Sequence, residues 1–404
     1  MTVLDLDGWR SGQLGEFIEL KRGYDLPGRD RRDGPVPIIS SSGPSGWHSE
    51  AMAKAPGVVT GRYGTIGQVF FVERDFWPLN TALYVRAFKG NDPRFVSYFL
   101  RSVDFDKYCD KAAVPGVNRN HLHMEQVRFP PVPDQRQIAA ILGAIDDKIE
   151  LNRSMNLTLE EMAKAVFKSW FIDFDGNEDL VQDDVGSLPR GWRRASLVEF
   201  AREGKHATTA GPFGSKLTSK HYSADGVPVL RGVNLSPPLG WFHDDDFVFV
   251  SEDYAVELTG NMAFPGDVVF TQRGTLGQVG VIPSSARYGR YVISQSQMKL
   301  TCAPWVPPAF IYLFFRQAST IEHIRSNAVA AGVPHINLGF LRDFPMVMPD
   351  RTTLARFASF LEPIQTRIEL NAGEARTLTT LRDTLLPKLI SGELRVRPAE
   401  GGAC

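Results

Sequence analysis

Hydrophobic and polar positions alternate in two different ways along this chain, and the alternation changes at matching places in its two halves. Over residues 135–171, apolar or small side chains return at spacings of four and three: Ile138, Leu142, Ile145, Ile149, Asn152, Asn156, Leu159, Ala163, Val166 and Trp170. Over 354–390 the same frame holds Phe357, Leu361, Ile364, Ile368, Asn371, Ala375, Leu378, Arg382, Leu385 and Leu389. That spacing predicts two long helices, each with a heptad seam, that pack on each other. At about 1.5 Å per residue each would run roughly 55 Å, more than one turn of B-DNA at about 34 Å, which suits a spacer. A single helix of this kind would read as half of an ordinary helical hairpin. Two copies, each closing one of two matching halves, favour the spacer.

Ahead of each helix the period shortens. Val36 to Ser40, Gly57 to Thr60, Gln68 to Val72 and Thr81 to Arg86 read as short strands separated by Gly and Pro turns, and a helix is predicted from Pro93 to about Cys109. The second half repeats this near Val227, Phe247, Val268, Val279 and Tyr291, with a helix from Pro308 to about Ser326. Each block is therefore α/β.

The repetition extends to individual residues. Gly8, Trp9, Arg10, Leu14, Glu16 and Phe17 recur as Gly191, Trp192, Arg193, Leu197, Glu199 and Phe200. Gly64, Thr65, Gly67, Gln68 and Val69 recur as Gly274, Thr275, Gly277, Gln278 and Val279, and Pro93, Phe95, Phe99 and Arg101 as Pro308, Phe310, Phe314 and Arg316. The predicted organisation is a first block at 1–133, a long helix at 134–172, an acidic connector at 173–189, a second block at 190–349, a long helix at 350–394 and a loose tail at 395–404. The offset between copies widens within about 204–264, where the loops are least alike. A shared scaffold with unlike loops points to one task performed on two targets, because binding residues concentrate on loops.

Charge adds a little. The chain is near neutral, at −1, but the blocks carry +2 and +3 while residues 134–189 carry −7. No apolar run approaches membrane-spanning length and the start has no signal-peptide pattern, so a cytosolic protein is expected. Cys109, Cys302 and Cys404 are isolated and support neither a disulfide framework nor a zinc site. His121 and His123 are spaced for a strand, and a metal role is not expected of them.

The sequence carries no recognisable catalytic motif. The Gly-rich cofactor loop and the Asn/Asp-Pro-Pro-aromatic motif of an amino-methyltransferase are missing, since the Pro-Pro pairs starting at 130, 237 and 307 lack those flanks. There is no phosphate loop ending in Gly-Lys-Ser/Thr. Pro133, Asp134, Asp146 and Lys148 imitate a metal-dependent nuclease signature, but the turns of the long helix separate the carboxylates that one metal would need.

The repeated RYGTIGQV (62–69) and QRGTLGQV (272–279) are the better candidates. Each is a glycine-rich turn leaving a strand, with an Arg that can fork onto guanine and a Gln that can pair with adenine. The glycines by themselves are explained by hairpin geometry. The candidate DNA contacts are Arg62, Tyr63, Thr65 and Gln68, then Gln272, Arg273, Thr275 and Gln278. The unlike loops add Ser41, Ser42, Trp47 and His48 in the first block, and Ser215, Lys216, Lys220, Tyr222, Arg231 and Asn234 in the second. In the helices, Ile149, Asn152, Ile368 and Asn371 are the seam candidates, the asparagines as register-setting core polar groups.

At this point the chain resembles the specificity subunit of a Type I restriction-modification system. The resemblance is carried by the duplication, by IELN at 149–152 and 368–371, by LPRGW at 188–192, LLPKLISGEL at 385–394 and GPFGSKL at 211–217, and it covers essentially the whole chain. It implies two tandem mixed α/β target-recognition domains with pseudo-twofold duplication, separated by two long helices forming an antiparallel coiled coil. Each domain would read one half of a bipartite double-stranded DNA target. The helices would set the spacing and dock modification subunits, two of them, which recruit restriction subunits, and the acidic first helix could contribute to that docking. The chain itself would catalyse nothing, with S-adenosylmethionine, ATP and Mg belonging to the partners. Two alternatives stay open: service to a methyltransferase-only complex, and a coiled-coil adaptor whose blocks bind protein. One departure from the pattern is Pro363, inside the second seam and followed by Gly373, which predicts a helix that begins after the proline or bends there.

Overall fold

The structure, a computed structural model of the 404-residue chain, describes residues 8–109, 116–235, 240–329 and 332–396. Most of the expected tail, Cys404 and the Pro-Pro pair at 237 lie outside the described residues. The chain divides into two compact units, 1–149 with 376–404 and 150–375.

Each unit is built on a four-stranded antiparallel sheet of the same topology. In the first the order is Glu19–Arg22, Ala82–Ala87, Gly57–Gly61, Val69–Val72; in the second it is Thr208–Ala210, Gln297–Leu300, Val268–Thr271, Val279–Val281. The registers correspond residue for residue: Val59 faces Tyr84 and Thr60 faces Leu83, as Val269 faces Lys299 and Phe270 faces Met298. A second sheet in each unit contains one parallel pair, Val36–Ser40 with Trp77–Pro78 and Val227–Leu230 with Tyr291–Ile293. This second sheet has three strands in the first unit and five in the second. The extra strands Tyr222–Ser223 and Met262–Ala263 occupy the stretch where the offset between copies widens.

The sheet is covered in each unit by a helix with proline in its first turn, Pro93–Arg101 and Pro308–Phe315. Both helices are shorter than the sequence pattern suggests. The first ends at Arg101 and a 3-10 turn follows at Phe105–Tyr108; the second gives way at Arg316 and Gln317 to a separate helix, Ala318–Ser326. His121 and His123 lie not on a strand but on the helix Arg119–His123, capped by Asn118. His123 Nε2 accepts the Leu20 amide at 2.9 Å, and burial pushes its pKa down, so the ring serves as a neutral acceptor.

The long helices are Val132–Phe171 and Arg351–Ser391, of 40 and 41 residues. The second runs through Pro363 and Gly373 without interruption, against the expectation of a late start or a break. Pro363 is exposed.

In the second unit the helices are joined by Asn152 to Glu374 at 2.8 Å, Asn371 to Asn156 at 2.8 Å, and Trp170 against Phe357 at 5.7 Å. As the first partner climbs from 152 to 170 the second falls from 374 to 357, so the pair is antiparallel. In the first unit, Arg382 reaches Asp146 at 2.9 Å, and Leu389 joins the core that holds Ile138 and Leu142.

The heptad frame holds along the second helix, where every seam position is buried or half-buried. Along the first it slips. Beyond Asn156 the buried positions are Glu160, Ala163, Phe167 and Phe171, while Leu159, Val166 and Trp170 are only half-buried. From Ile149 the spacing runs three, four, four, and an 11-residue period follows a straighter helix than a heptad does.

Other departures are small. The connector contains a hairpin, Leu180–Gln182 with Ser187–Pro189. At the start of the expected tail, Val396 packs against the first unit's core. Among the described residues no helix is long and apolar enough to cross a membrane, and no cluster of His, Cys, Asp or Glu could hold a metal ion.

Candidate nucleic-acid interface

The repeated glycine turn is the tip of a β-hairpin in both units. Gly64, Gly67, Gly274 and Gly277 have φ of 73°, 79°, 99° and 89°, a region in which L side chains are strained. In each unit the start of the tip is held from two sides by backbone hydrogen bonds. The amides of Arg62 and Tyr63 donate to Thr81 O at 3.0 and 3.2 Å, and Arg62 O accepts from Val117 N at 3.0 Å. In the second unit the amides of Gln272 and Arg273 donate to Ser296 O at 2.7 and 3.4 Å, and Gln272 O accepts from Ile336 N at 3.0 Å.

These anchors also gather neighbouring loops. Thr81 Oγ1 accepts the Ser41 amide at 3.3 Å, which brings the Ser41–Ser42 loop to the first hairpin. In the second unit, Gln295 Nε2 donates to Leu217 O at 2.7 Å and also to Gly214 O, tying the loop that carries Ser215 and Lys216 to the Ser296 anchor. Tyr254 donates its hydroxyl to Lys216 O from the other side, and His221 stacks on Tyr254 with ring centroids 4.7 Å apart. Asn80–Thr81, Gln295–Ser296 and Tyr254 were not among the sequence candidates. They are polar residues beside strands, with no local pattern to mark them; only alignment of the two sheets shows that 81 and 296 occupy one position.

The candidates fall into three groups. Arg273, Thr275, Ser215 and Lys216 are exposed on the gathered loops, Gln68 and Ser42 are exposed, and Arg62, Tyr63, Thr65 and Ser41 are half-buried around the first hairpin. The Arg62 guanidinium lies over the Tyr63 ring at 4.5 Å, which orients it.

Trp47, Lys220 and Tyr222 are exposed, but no described hydrogen bond or ion pair joins them to a hairpin; Tyr222 lies on an edge strand opposite Val250.

Four of the remaining five are committed to the fold. His48 is 4% exposed, with Nδ1 accepting the Arg32 amide and the ring edge-on to Trp77. Asn234 is fully buried; it accepts from Arg231 N and donates to His243 O and Asp245 O. Both are corrections, since Asn234 spends its amide on backbone and His48 is buried with Nδ1 bound to backbone. Gln278 Oε1 accepts from Thr271 Oγ1 at 3.1 Å, and the half-buried Arg231 donates to Asp246 O, which leaves neither side chain pointing free. Gln272 is half-buried and its Oε1 has no protein partner. Of the seam candidates, Asn152 and Asn371 are 0% and 1% exposed. Asn371 meets Asn156 rather than Asn152, and Ile149 and Ile368 are buried beside them.

One scaffold repeated with unlike loops beside the same hairpin is an arrangement that comparison with known proteins relates to DNA specificity. Residues 7–161 match the Type I restriction modification DNA specificity domain. The chain is 24% identical over 315 residues to the Type I restriction enzyme MjaIX specificity subunit of Methanocaldococcus jannaschii, an alignment covering 75% of this chain and 69% of the relative. It is 24% identical over 399 residues to the Type I restriction enzyme HindI specificity subunit of Haemophilus influenzae, covering 81% and 84%. The fold is that of the Type I restriction-modification S subunit from M. genitalium, with a TM-score of 0.59 at 16% identity, covering 96% of this chain and 98% of that one. Residues 7–161 thus carry the likeness to the DNA specificity domain, and over most of its length the chain is similar to specificity subunits of Type I restriction enzymes.

Proposed function

We propose that this chain recognises a bipartite double-stranded DNA sequence, the first unit reading one half and the second the other. The long helices set the gap between the half-sites and dock two modification subunits, through which restriction subunits join. S-adenosylmethionine then belongs to the modification subunits, and ATP and Mg to the restriction subunits. The observation that carries this reading is the duplicated hairpin, held in both units by the same backbone anchors yet presenting Arg62 in one and Gln272 in the other at the same place. A fold that repeats its frame and changes its displayed groups separates positioning from readout, as DNA-binding proteins do.

The test is to combine the chain with its modification subunits, weigh the complex, methylate a genomic library and sequence the modified sites. A bipartite motif with one fixed gap is expected, in a complex holding two modification subunits. Lys216→Ala with Arg273→Ala should relax only one half. Asn371→Leu, which removes the buried partner of Asn156, should broaden the gap while both half-motifs persist. Methylation with no shared motif would overturn the reading.

A further inference from the structure

Beside the first hairpin lies a cleft of about 330 Å³ rimmed by three arginines, Arg22, Arg62 and Arg119, with Asn118 and Asn120, over Leu83. Each arginine comes from a different element. Arg22 ends the edge strand of the sheet, Arg62 opens the hairpin tip, and Arg119 is the first residue of the helix that Asn118 caps. Among the described residues only Arg22 of the three has an acidic partner, Asp25 at 3.4 Å. Both side chains of that pair are more than half exposed, and such a pair holds its arginine weakly. Among the described residues Arg62 and Arg119 form no ion pair, so the cleft concentrates positive charge.

The second unit shows that the scaffold does not require these charges. Arg22 faces Leu83 in the first sheet, and the residue facing the corresponding Met298 is Ala210. Arg62 corresponds to Gln272 by its shared backbone anchors, and Arg119, following the cap Asn118, corresponds to Leu338 following the cap Asn337. The caps and the apolar floor are kept while all three arginines are replaced by uncharged residues. Three guanidinium groups around a small concavity, two of them without an ion pair among the described residues and with amide side chains between them, suit a phosphate, whose oxygens accept several charge-assisted hydrogen bonds at once.

We infer that this cleft binds a backbone phosphodiester of the DNA, clamping the half-site read by the first unit; the inference rests on the DNA-reading function proposed above. Phosphate contacts fix register without carrying sequence information, so the clamp contributes affinity rather than specificity.

The test measures duplex binding by the assembled complex across a range of salt concentrations, for the native chain and for Arg22→Gln and Arg119→Gln. Each substitution is expected to reduce the slope of log affinity against log salt by about one and to leave the methylated motif unchanged. Arg119→Lys, which keeps the charge, should keep the slope and guards against a folding defect. An unchanged slope in both glutamine variants would overturn the clamp. A changed motif would also overturn it, in favour of base reading. If millimolar inorganic phosphate raised the melting temperature of the native chain but not of the variants, with the DNA slope unmoved, the site would belong to a free anion. A native complex that binds duplex without any preferred motif would refute the bipartite reading instead, and the non-specific salt slope would still report on the cleft.

Discussion

At one position of the two equivalent sheets, the units fill their interiors with opposite chemistry. In the first, Tyr84 is 4% exposed, its hydroxyl lies 3.1 Å from that of Tyr24, and Phe76 packs edge-on against its ring. Gly57 leaves the room for Phe76: a Cβ there would come within 2.1 Å of the Phe76 ring. In the second unit the residue in the place of Tyr84 is Lys299, and the one in the place of Gly57 is Asp267. Lys299 Nζ lies 2.9 Å from Asp267 Oδ2, with side chains 3% and 2% exposed. Thr301 donates to the other carboxylate oxygen at 2.6 Å, and the Phe264 amide donates to Oδ2 at 2.9 Å. Strand register is thus a property of the repeated scaffold, whereas the filling of the space behind it is not. An ion pair replaces an aromatic cluster only because nearly every lone pair and proton of the pair is satisfied.

The sharpest way to break this comparison is to remove one partner. Lys299→Met leaves Asp267 buried and unpaired, and should destabilise the second unit by about 3–5 kcal/mol in urea unfolding. The double change to Lys299→Met with Asp267→Asn should cost less than the single one, because no uncompensated charge remains inside. Equal costs would mean that packing, not charge, dominates at this site.

In the first unit the corresponding stress is steric. Gly57→Ala drives a methyl into the buried Phe76 ring and should cost about 1–3 kcal/mol. Gly28→Ala, with open space around it, is the matched control, and similar costs for both would show that the close approach to Phe76 is not what selects glycine.

These contrasts mark what a single sequence discloses. The strand Val36–Ser40 is found end to end where the pattern put it, because β-branched residues between Gly and Pro turns leave few alternatives. The glycine turns and the second helical seam are likewise local signals. The slip of the first helix to Glu160, Phe167 and Phe171 is not local. Glu160 is an unlikely core residue by type, and is buried because Arg316 and Tyr312 of the second block bind it at 3.0 and 3.2 Å. Pro363 misleads for a similar reason: a proline weakens a helix by itself, but here it sits on the exposed face of a helix otherwise held by its buried seam. For the interface, the hairpins were legible and their anchors were not, since Thr81 and Ser296 act through backbone carbonyls that any residue supplies. His48 and Asn234 have the composition of contact residues, and only their burial assigns them to the fold.

Glu160 invites a last comparison, with the smallest expected effect. Arg101 and Arg316 end equivalent helices and each binds an acid on the first long helix, Asp146 and Glu160, with Tyr98 and Tyr312 as companions. The acid in the first unit is the more accessible, 21% against 6% exposed. Burial pushes the Asp146 carboxyl up, but hydrogen bonds from Arg382, Arg101 and Tyr98 outweigh it and hold the group below the usual carboxylate range. A carboxylate depressed in the folded state contributes stability that is complete above its unfolded value, about 3.9, and is lost as pH falls through the folded value. Asp146→Asn should therefore be less stable than the native chain at pH 7, and should lose less further stability on acidification from pH 5 to pH 3. The measurement is the urea midpoint of the first unit at each pH, followed by a probe in its core. Parallel pH profiles for the two proteins would show that the arginines hold Asp146 no more tightly folded than unfolded, and that the two acids, though reached by equivalent arginines, do unequal work.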